Sequence, residues 1–347
     1  MVAERNGKIM AARLTSPTRH VHMRPDLQGV LTLRTALFAD IEPRKHGRLS
    51  LDGGHEMYWE ETGRPDGVPI VFLHGGPGAG TMPVHRRFFD PEYFRIILFD
   101  QRGAGRSTPQ ASVQANTTAH LIGDLETLRT HLSVERWHLF GGSWGSTLAL
   151  AYAQACPERC LGMVLRGIFT CSQREVDWFL YGMGRVFPDA WQDFAAAIPQ
   201  GERDDLLSAY YRRLTDPDPE IHMPMARVWA TYEARCSTLK PNPDAVRAIS
   251  ASPGTLALAR IEAHYLANGA FLEVDQLISR ADRLRGIPGA IVHGRYDMVC
   301  PVETADRLAQ AWPEAEFTIV PDAGHSALEP GTRAALLDAV ERLKGLE

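Results

Sequence analysis

Cysteine is scarce in this chain, five residues in 347, and the five (Cys156, Cys160, Cys171, Cys236 and Cys300) follow no disulfide spacing. An odd, irregular set excludes a stapled secreted scaffold and fits free thiols in a reducing compartment, so a cytoplasmic location is expected. Cys156 and Cys160 lie four apart, as on one helix face, but no His or Cys nearby completes a metal set. No apolar run is long enough to span a bilayer, so no membrane partner is expected. Charge of one sign is lacking too: the formal net charge is −5, which gives no electrostatic footprint for nucleic acid. The glycine-rich stretch after Phe99 lacks the G-K-[ST] ending of a phosphate loop and the G-x-G-x-x-G spacing of a dinucleotide site. No His/Cys/carboxylate cluster reads as a metal site, so the expectation is no cofactor and no metal.

The N-terminal stretch MVAERNGKIMAARLTSPTRHVHMRPD has neither an apolar core segment nor a small-residue cleavage site, which argues against a secretory signal. Residues 1–34 are expected to form a flexible extension, with Met10 or Met23 as alternative starts. The chain as a whole has an ordinary globular balance, 44% hydrophobic and 23% charged.

Eight short β-type runs are legible. Arg48–Leu51 and Glu56–Glu60 flank Asp52-Gly53-Gly54-His55, a hairpin signal. Pro69–Leu73, Arg95–Phe99, Trp137–Phe140, Gly162–Leu165, Ala290–His293 and Glu316–Val320 are the others, mostly continuous apolar runs suited to parallel strands covered on both faces. Helical periods fall between them at Thr118–Leu132, Ser146–Gln154, Val302–Trp312 and Gly331–Leu343. The order predicts an α/β fold with a mostly parallel eight-stranded sheet and helices on both faces. From 172 to 283 no strand pattern appears. The segment is Trp-, Tyr-, Arg- and Ala-rich and is cut into short helices by prolines including Pro188, Pro219, Pro224 and Pro243. It reads as an all-helical insertion, leaving 35–171 and 284–347 as the sheet domain.

Gly141-Gly142-Ser143-Trp144-Gly145 matches G-x-S-x-G between a strand and a helix, the context of the nucleophile elbow of an α/β-hydrolase fold. A sharp strand-to-helix turn lifts the Ser143 hydroxyl to the carboxyl edge of the sheet. His74-Gly75-Gly76-Pro77-Gly78 follows the Pro69–Leu73 strand, where this fold supplies one oxyanion N–H. The candidates for the oxyanion hole are therefore the amides of Gly76 and Trp144, with Gly75 as an alternative donor. His74 is read as tying its loop together. A serine needs a base and the base an orienting carboxylate, in the chain order Ser…Asp…His. Asp297 follows the Ala290–His293 strand and His325 the Glu316–Val320 strand, giving the triad Ser143–Asp297–His325. His293 lies inside its strand, and Asp322 is too close in sequence to orient His325. The Asp100–Ser107 segment reads as an Arg-Asp framework under the site.

HGGPG, DQRGAGRS, GGSWGS, HGRYD and AGHS, in this order and spacing, resemble the proline iminopeptidases (prolyl aminopeptidases) from about Leu37 to Leu343. The resemblance implies a helical cap over the catalytic domain. It also implies a serine exopeptidase that releases proline from peptides with a free N-terminus, without a cofactor. Glu233 (in WATYE) and Glu262 (in ARIEAHY) match the two cap glutamates that hold the substrate's imino group in that family. Tyr232 stands where the family usually has a second Trp, which puts the pocket's shape in question. Phe169, Trp229 and Tyr265 are candidates for an aromatic wall. Cys300, three residues after Asp297, is a packing residue near enough to the triad for thiol reagents to act. The alternative reading keeps the triad but takes other N-terminal residues, amides or esters. A non-catalytic scaffold is disfavoured by the complete Ser/Asp/His set. The oligomeric state is left open.

Overall fold

The computed structural model describes residues 34–346, so the extension expected over 1–34 lies outside the described residues but for its last one. Eight strands form one sheet: β1 (Lys45–Ser50), β2 (Glu56–Gly63), β3 (Val68–Leu73), β4 (Phe94–Phe99), β5 (Trp137–Gly142), β6 (Cys160–Arg166), β7 (Gly289–Gly294) and β8 (Ala315–Val320). Their order across the sheet is β1-β2-β4-β3-β5-β6-β7-β8. β1 pairs with β2 and β2 with β4 antiparallel, and every later pair is parallel. All eight strand expectations fall on observed strands.

Alternation along the strands explains the two covered faces. Val71, Leu73, Ile97, Phe99, Leu139 and Ile291 pack on one face with α1 (Thr118–His131) and α2 (Trp144–Ala155). Their neighbours Ile70, Phe72, Ile96, Leu98, Phe140 and Val292 face the other way, onto the C-terminal helix. Because both faces are buried there, the central strands β3 to β7 read as apolar runs. The α2 helix starts at Trp144, earlier than its apolar period suggests, because Ser143 itself is the N-cap.

Between β6 and β7 the chain makes α3 (Gln173–Leu180), α4 (Pro188–Ala196), α5 (Leu206–Leu214), α6 (Pro219–Cys236), α7 (Pro243–Ser250), α8 (Thr255–Ala267) and the single turn α9 (Gln276–Ser279). Aromatic rings fill this insertion: Phe194 stacks on Tyr210 at 4.5 Å and on Tyr232 at 4.3 Å, and Trp229 packs on Phe179 at 5.5 Å. Pro188, Pro219 and Pro243 sit in first turns, where a missing N–H costs nothing. Pro224 differs from expectation: it lies inside α6 rather than ending a helix. The carbonyl it cannot serve belongs to Glu220, which is exposed to water. After β7 come α10 (Val302–Ala311) and, after β8, α11 (Pro330–Glu341). No described helix is long and apolar enough to cross a membrane.

Candidate active site

Parallel strands bring their carboxyl ends to one sheet edge, and the sequence-predicted residues gather there. Ser143 occupies the turn from β5 to α2 with φ 57° and ψ −128°, a strained conformation for a residue with a side chain. The turn is tight enough that a Cβ on Gly145 would lie 2.1 Å from the Leu73 carbonyl oxygen, and one on Gly141 2.2 Å from that of Gly145. Only glycine fits at either position.

Asp297 and His325 come from the loops after β7 and β8. His325 Nδ1 donates to Asp297 Oδ2 at 2.8 Å. Asp297 Oδ1 accepts the backbone N–H groups of Val299 at 3.1 Å and Cys300 at 2.8 Å. Burial alone would raise the Asp297 pKa, but the imidazole of His325 and these N–H donors outweigh it and hold it below the usual value. His293 lies 3.4 Å from the same carboxylate, but its ring is already committed. Its Nε2 donates to the Cys300 carbonyl at 2.7 Å and its Nδ1 accepts from the Ile168 N–H at 3.2 Å. Asp322 is exposed and takes no part.

The loop that carries His325 is pinned to the insertion: the N–H groups of His325 and Ser326 both donate to the Ser237 carbonyl just after α6, each at 3.0 Å.

Ser143 and His325 line one cavity, but no hydrogen bond joins them. The ring nitrogen that faces away from Asp297 is taken by Arg166, whose Nη1 donates to His325 Nε2 at 3.1 Å and to the His325 carbonyl at 2.8 Å. Sequence reasoning missed Arg166. Its signal was a single cation closing the apolar run of β6. Desolvation weakens its hold on its proton, and the Asp297 charge opposes this. A guanidinium donor on Nε2 requires the imidazole to be neutral, with its proton on Nδ1.

The oxyanion candidates stand beside Ser143. Trp144 is the first residue of α2, so its N–H has no acceptor within the helix. Gly75 and Gly76 both line the cavity, and a Cβ on Gly75 would lie 4.0 Å from Ser143 Oγ. The His74 ring ties this loop down: its Nε2 accepts the Gln101 N–H at 2.9 Å, and its Nδ1 lies 2.9 Å from the Gly75 carbonyl. Gln101 in turn accepts the Trp144 indole N–H at 2.9 Å. Asp100 gathers Thr81 and Arg106, with bonds of 2.6–2.8 Å, beneath the loop.

Glu233 on α6 lines the cavity, and its carboxyl has no hydrogen-bond partner among the described residues. Glu262 on α8 is buried and accepts the Trp229 indole N–H at 2.6 Å. Desolvation raises the pKa of both, that of Glu262 well above the ordinary value, and the nearby Glu233 charge adds to the rise. Two desolvated carboxyls in electrostatic contact favour a cation between them.

Three sequence candidates have other work. The Tyr232 hydroxyl donates to the Phe179 carbonyl at 2.8 Å, and its ring lies within the aromatic interior of the insertion. Trp229 positions Glu262, and Tyr265 packs against Trp144 at 4.4 Å with the rings tilted by 58° and its hydroxyl donating to Asn116. None of these three lines the cavity, nor do Phe169 and Glu262, whereas Glu233 does. Among the described residues no group of three His, Cys, Asp or Glu is placed to hold a metal ion.

A family model described as alpha/beta hydrolase fold matches residues 68–332. The chain is 50% identical to a probable proline iminopeptidase of Leptolyngbya boryana over 308 residues, covering 88% of this chain and 96% of the relative. It is 49% identical to a proline iminopeptidase of Arabidopsis thaliana, covering 93% and 86%, and 45% identical to that of Neisseria gonorrhoeae, covering 86% and 96%. Among solved structures, a putative aryl esterase from Burkholderia cenocepacia superposes with a TM-score of 0.60 at 19% identity, covering 86% of this chain and 99% of that one. An esterase from Exiguobacterium antarcticum gives 0.60 at 18%, covering 87% and 100%. At such identities these structures carry the fold only. Sequence and fold together place the chain: it belongs to the α/β-hydrolase family and, within it, to the proline iminopeptidases.

Proposed function

We propose that this protein is a serine exopeptidase that releases proline from the free N-terminus of peptides, with Ser143, His325 and Asp297 as its catalytic residues. The observation that carries the reading is the pairing of a strained serine and an Asp-held imidazole with two desolvated carboxyls on the opposing helices. The first set supports acyl transfer. The second supports recognition of a protonated amine, which a blocked N-terminus cannot offer.

The substrate's ammonium settles between Glu233 and Glu262, which places the first carbonyl at Ser143. The Arg166 guanidinium must leave His325 Nε2 before the ring can act. Then His325 takes the Ser143 proton while Oγ forms a bond to the carbonyl carbon. The amides of Trp144 and of Gly76 (or its neighbour Gly75) hold the resulting oxyanion. The tetrahedral species collapses, breaking the C–N bond, and the imidazolium gives its proton to the leaving amine. Water, deprotonated by the same ring, then attacks the prolyl ester, and Oγ regains the proton as proline departs. Asp297 keeps the Nδ1–H tautomer throughout. The helices from α3 to α9, with residues 172–283 as bounds, act as a cap that carries the amine site. Five unpaired cysteines accord with a reducing cytoplasm.

The test is turnover of prolyl-, alanyl- and acetylprolyl-naphthylamides together with labelling by a fluorophosphonate. Preference for the free prolyl substrate and labelling confined to Ser143 are expected. Equal turnover of the acetylated compound would instead assign an amidase without amine recognition.

A further inference from the structure

The cavity at Ser143 is larger than one proline needs, and its lining is of two chemical kinds. Its volume is about 390 Å³, whereas an apolar cavity of about 150 Å³ already accepts a benzene ring. Arg166, Glu233, Ser143 and His325 are the charged and reactive part of the lining. The rest is apolar or neutral: Phe72 from β3, Phe140 from β5, His85, Leu258 from α8, Met82 and Leu328. Phe72 and Phe140 stack at 5.5 Å and belong to the buried core beneath the sheet, so this wall is rigid.

His85 lies flat on Phe72, with ring centroids 4.3 Å apart at 16°. Its Nδ1 accepts the Met82 N–H at 3.0 Å, which puts the ring proton on Nε2. Burial pushes its pKa down to about 3, so the ring is neutral at physiological pH. This part of the lining therefore holds no full charge to meet a charged side chain, and a buried unpaired charge is costly.

We infer that this apolar part of the lining is the subsite for the residue following the N-terminal proline, and that it selects an apolar side chain such as Leu or Phe. The inference rests on the exopeptidase reading: with the amine at Glu233 and Glu262 and the carbonyl at Ser143, the leaving half of the peptide meets this apolar lining in the same cavity.

The experiment measures proline release from Pro-Gly-NH₂, Pro-Leu-NH₂, Pro-Phe-NH₂ and Pro-Asp-NH₂. We expect kcat/KM for the Leu and Phe amides to exceed that for Gly by about tenfold or more, with Asp the poorest. Met82→Glu and Leu328→Glu place a carboxylate at the rim. Both native residues are exposed, at 54% and 43%, so the fold tolerates the changes. Each variant should lose far more activity on Pro-Leu-NH₂ than on Pro-Gly-NH₂ and bring their ratio towards one. Equal kcat/KM across the four amides, or an unchanged ratio in both variants, overturns the subsite while leaving the peptidase reading intact. Release of proline from none of them refutes the peptidase reading itself.

Discussion

Replacing Glu262 by Gln should make the protein more stable and less active, and one buried charge causes both effects. The Glu262 side chain is 6% exposed and is held by the Trp229 indole, a bond that a glutamine carbonyl oxygen can keep. Its pKa is raised in the folded protein by desolvation first and by Glu233 second. Below the ordinary value of 4.5, folded and unfolded chains both keep the proton and the group costs nothing. Above it the unfolded chain ionises while the folded one resists, so stability falls until the pH passes the folded pKa. At pH 7 the penalty is at most about 3.4 kcal/mol, the value for a carboxyl that stays protonated all the way. Glu262→Gln recovers up to that amount. With an unfolding entropy near 2.1 cal/mol/K per residue, the melting temperature rises by up to about 5 °C. The gain should vanish below about pH 4. The same variant loses a charged partner for the substrate's ammonium, about 1.5–3 kcal/mol, or roughly 10- to 150-fold in kcat/KM. The assays are thermal melts between pH 4 and pH 8 and turnover of a prolyl naphthylamide. A melting difference independent of pH would refute the buried-charge reasoning. Unchanged kcat/KM would remove Glu262 from amine binding.

Other substitutions probe the remaining parts. Ser143→Ala should lower kcat by several decades, on the order of 10⁶ as in a comparable triad, and abolish phosphonate labelling; more than a tenth of the activity surviving would exclude Ser143. Asp297→Asn should cost about 10⁴ in kcat through loss of the Nδ1–H tautomer, with KM little changed. Gly145→Ala drives a Cβ into the Leu73 carbonyl and should destabilise by at least about 1–3 kcal/mol, read as a lowered denaturation midpoint. A mercurial should inhibit only slowly, because Cys300 is buried and its thiol is pushed far up, and Cys300→Ala should be spared; equal inhibition of both proteins would acquit Cys300.

The central strands β3 to β7 were legible because they are buried on both faces, so each appears as an apolar run, and β1 and β2 were legible from the Asp52-Gly53-Gly54 turn between them. The elbow was legible because its glycines are forced by contacts of 2.1 and 2.2 Å, a demand local enough to leave a five-residue trace. What stayed hidden depends on tertiary neighbours. Arg166 looks like an ordinary strand end until β8's loop folds over it. The Tyr232 ring could not be assigned to cavity or interior, since residues 229, 232 and 233 of one helix point to different neighbours. Pro224 read as a helix breaker because sequence does not tell whether the carbonyl it abandons faces solvent.

The two bonds from the Ser237 carbonyl to the His325 loop make the roof of the site part of its machinery. On the proposed mechanism, any displacement of the segment after α6 would also draw His325 away from Ser143.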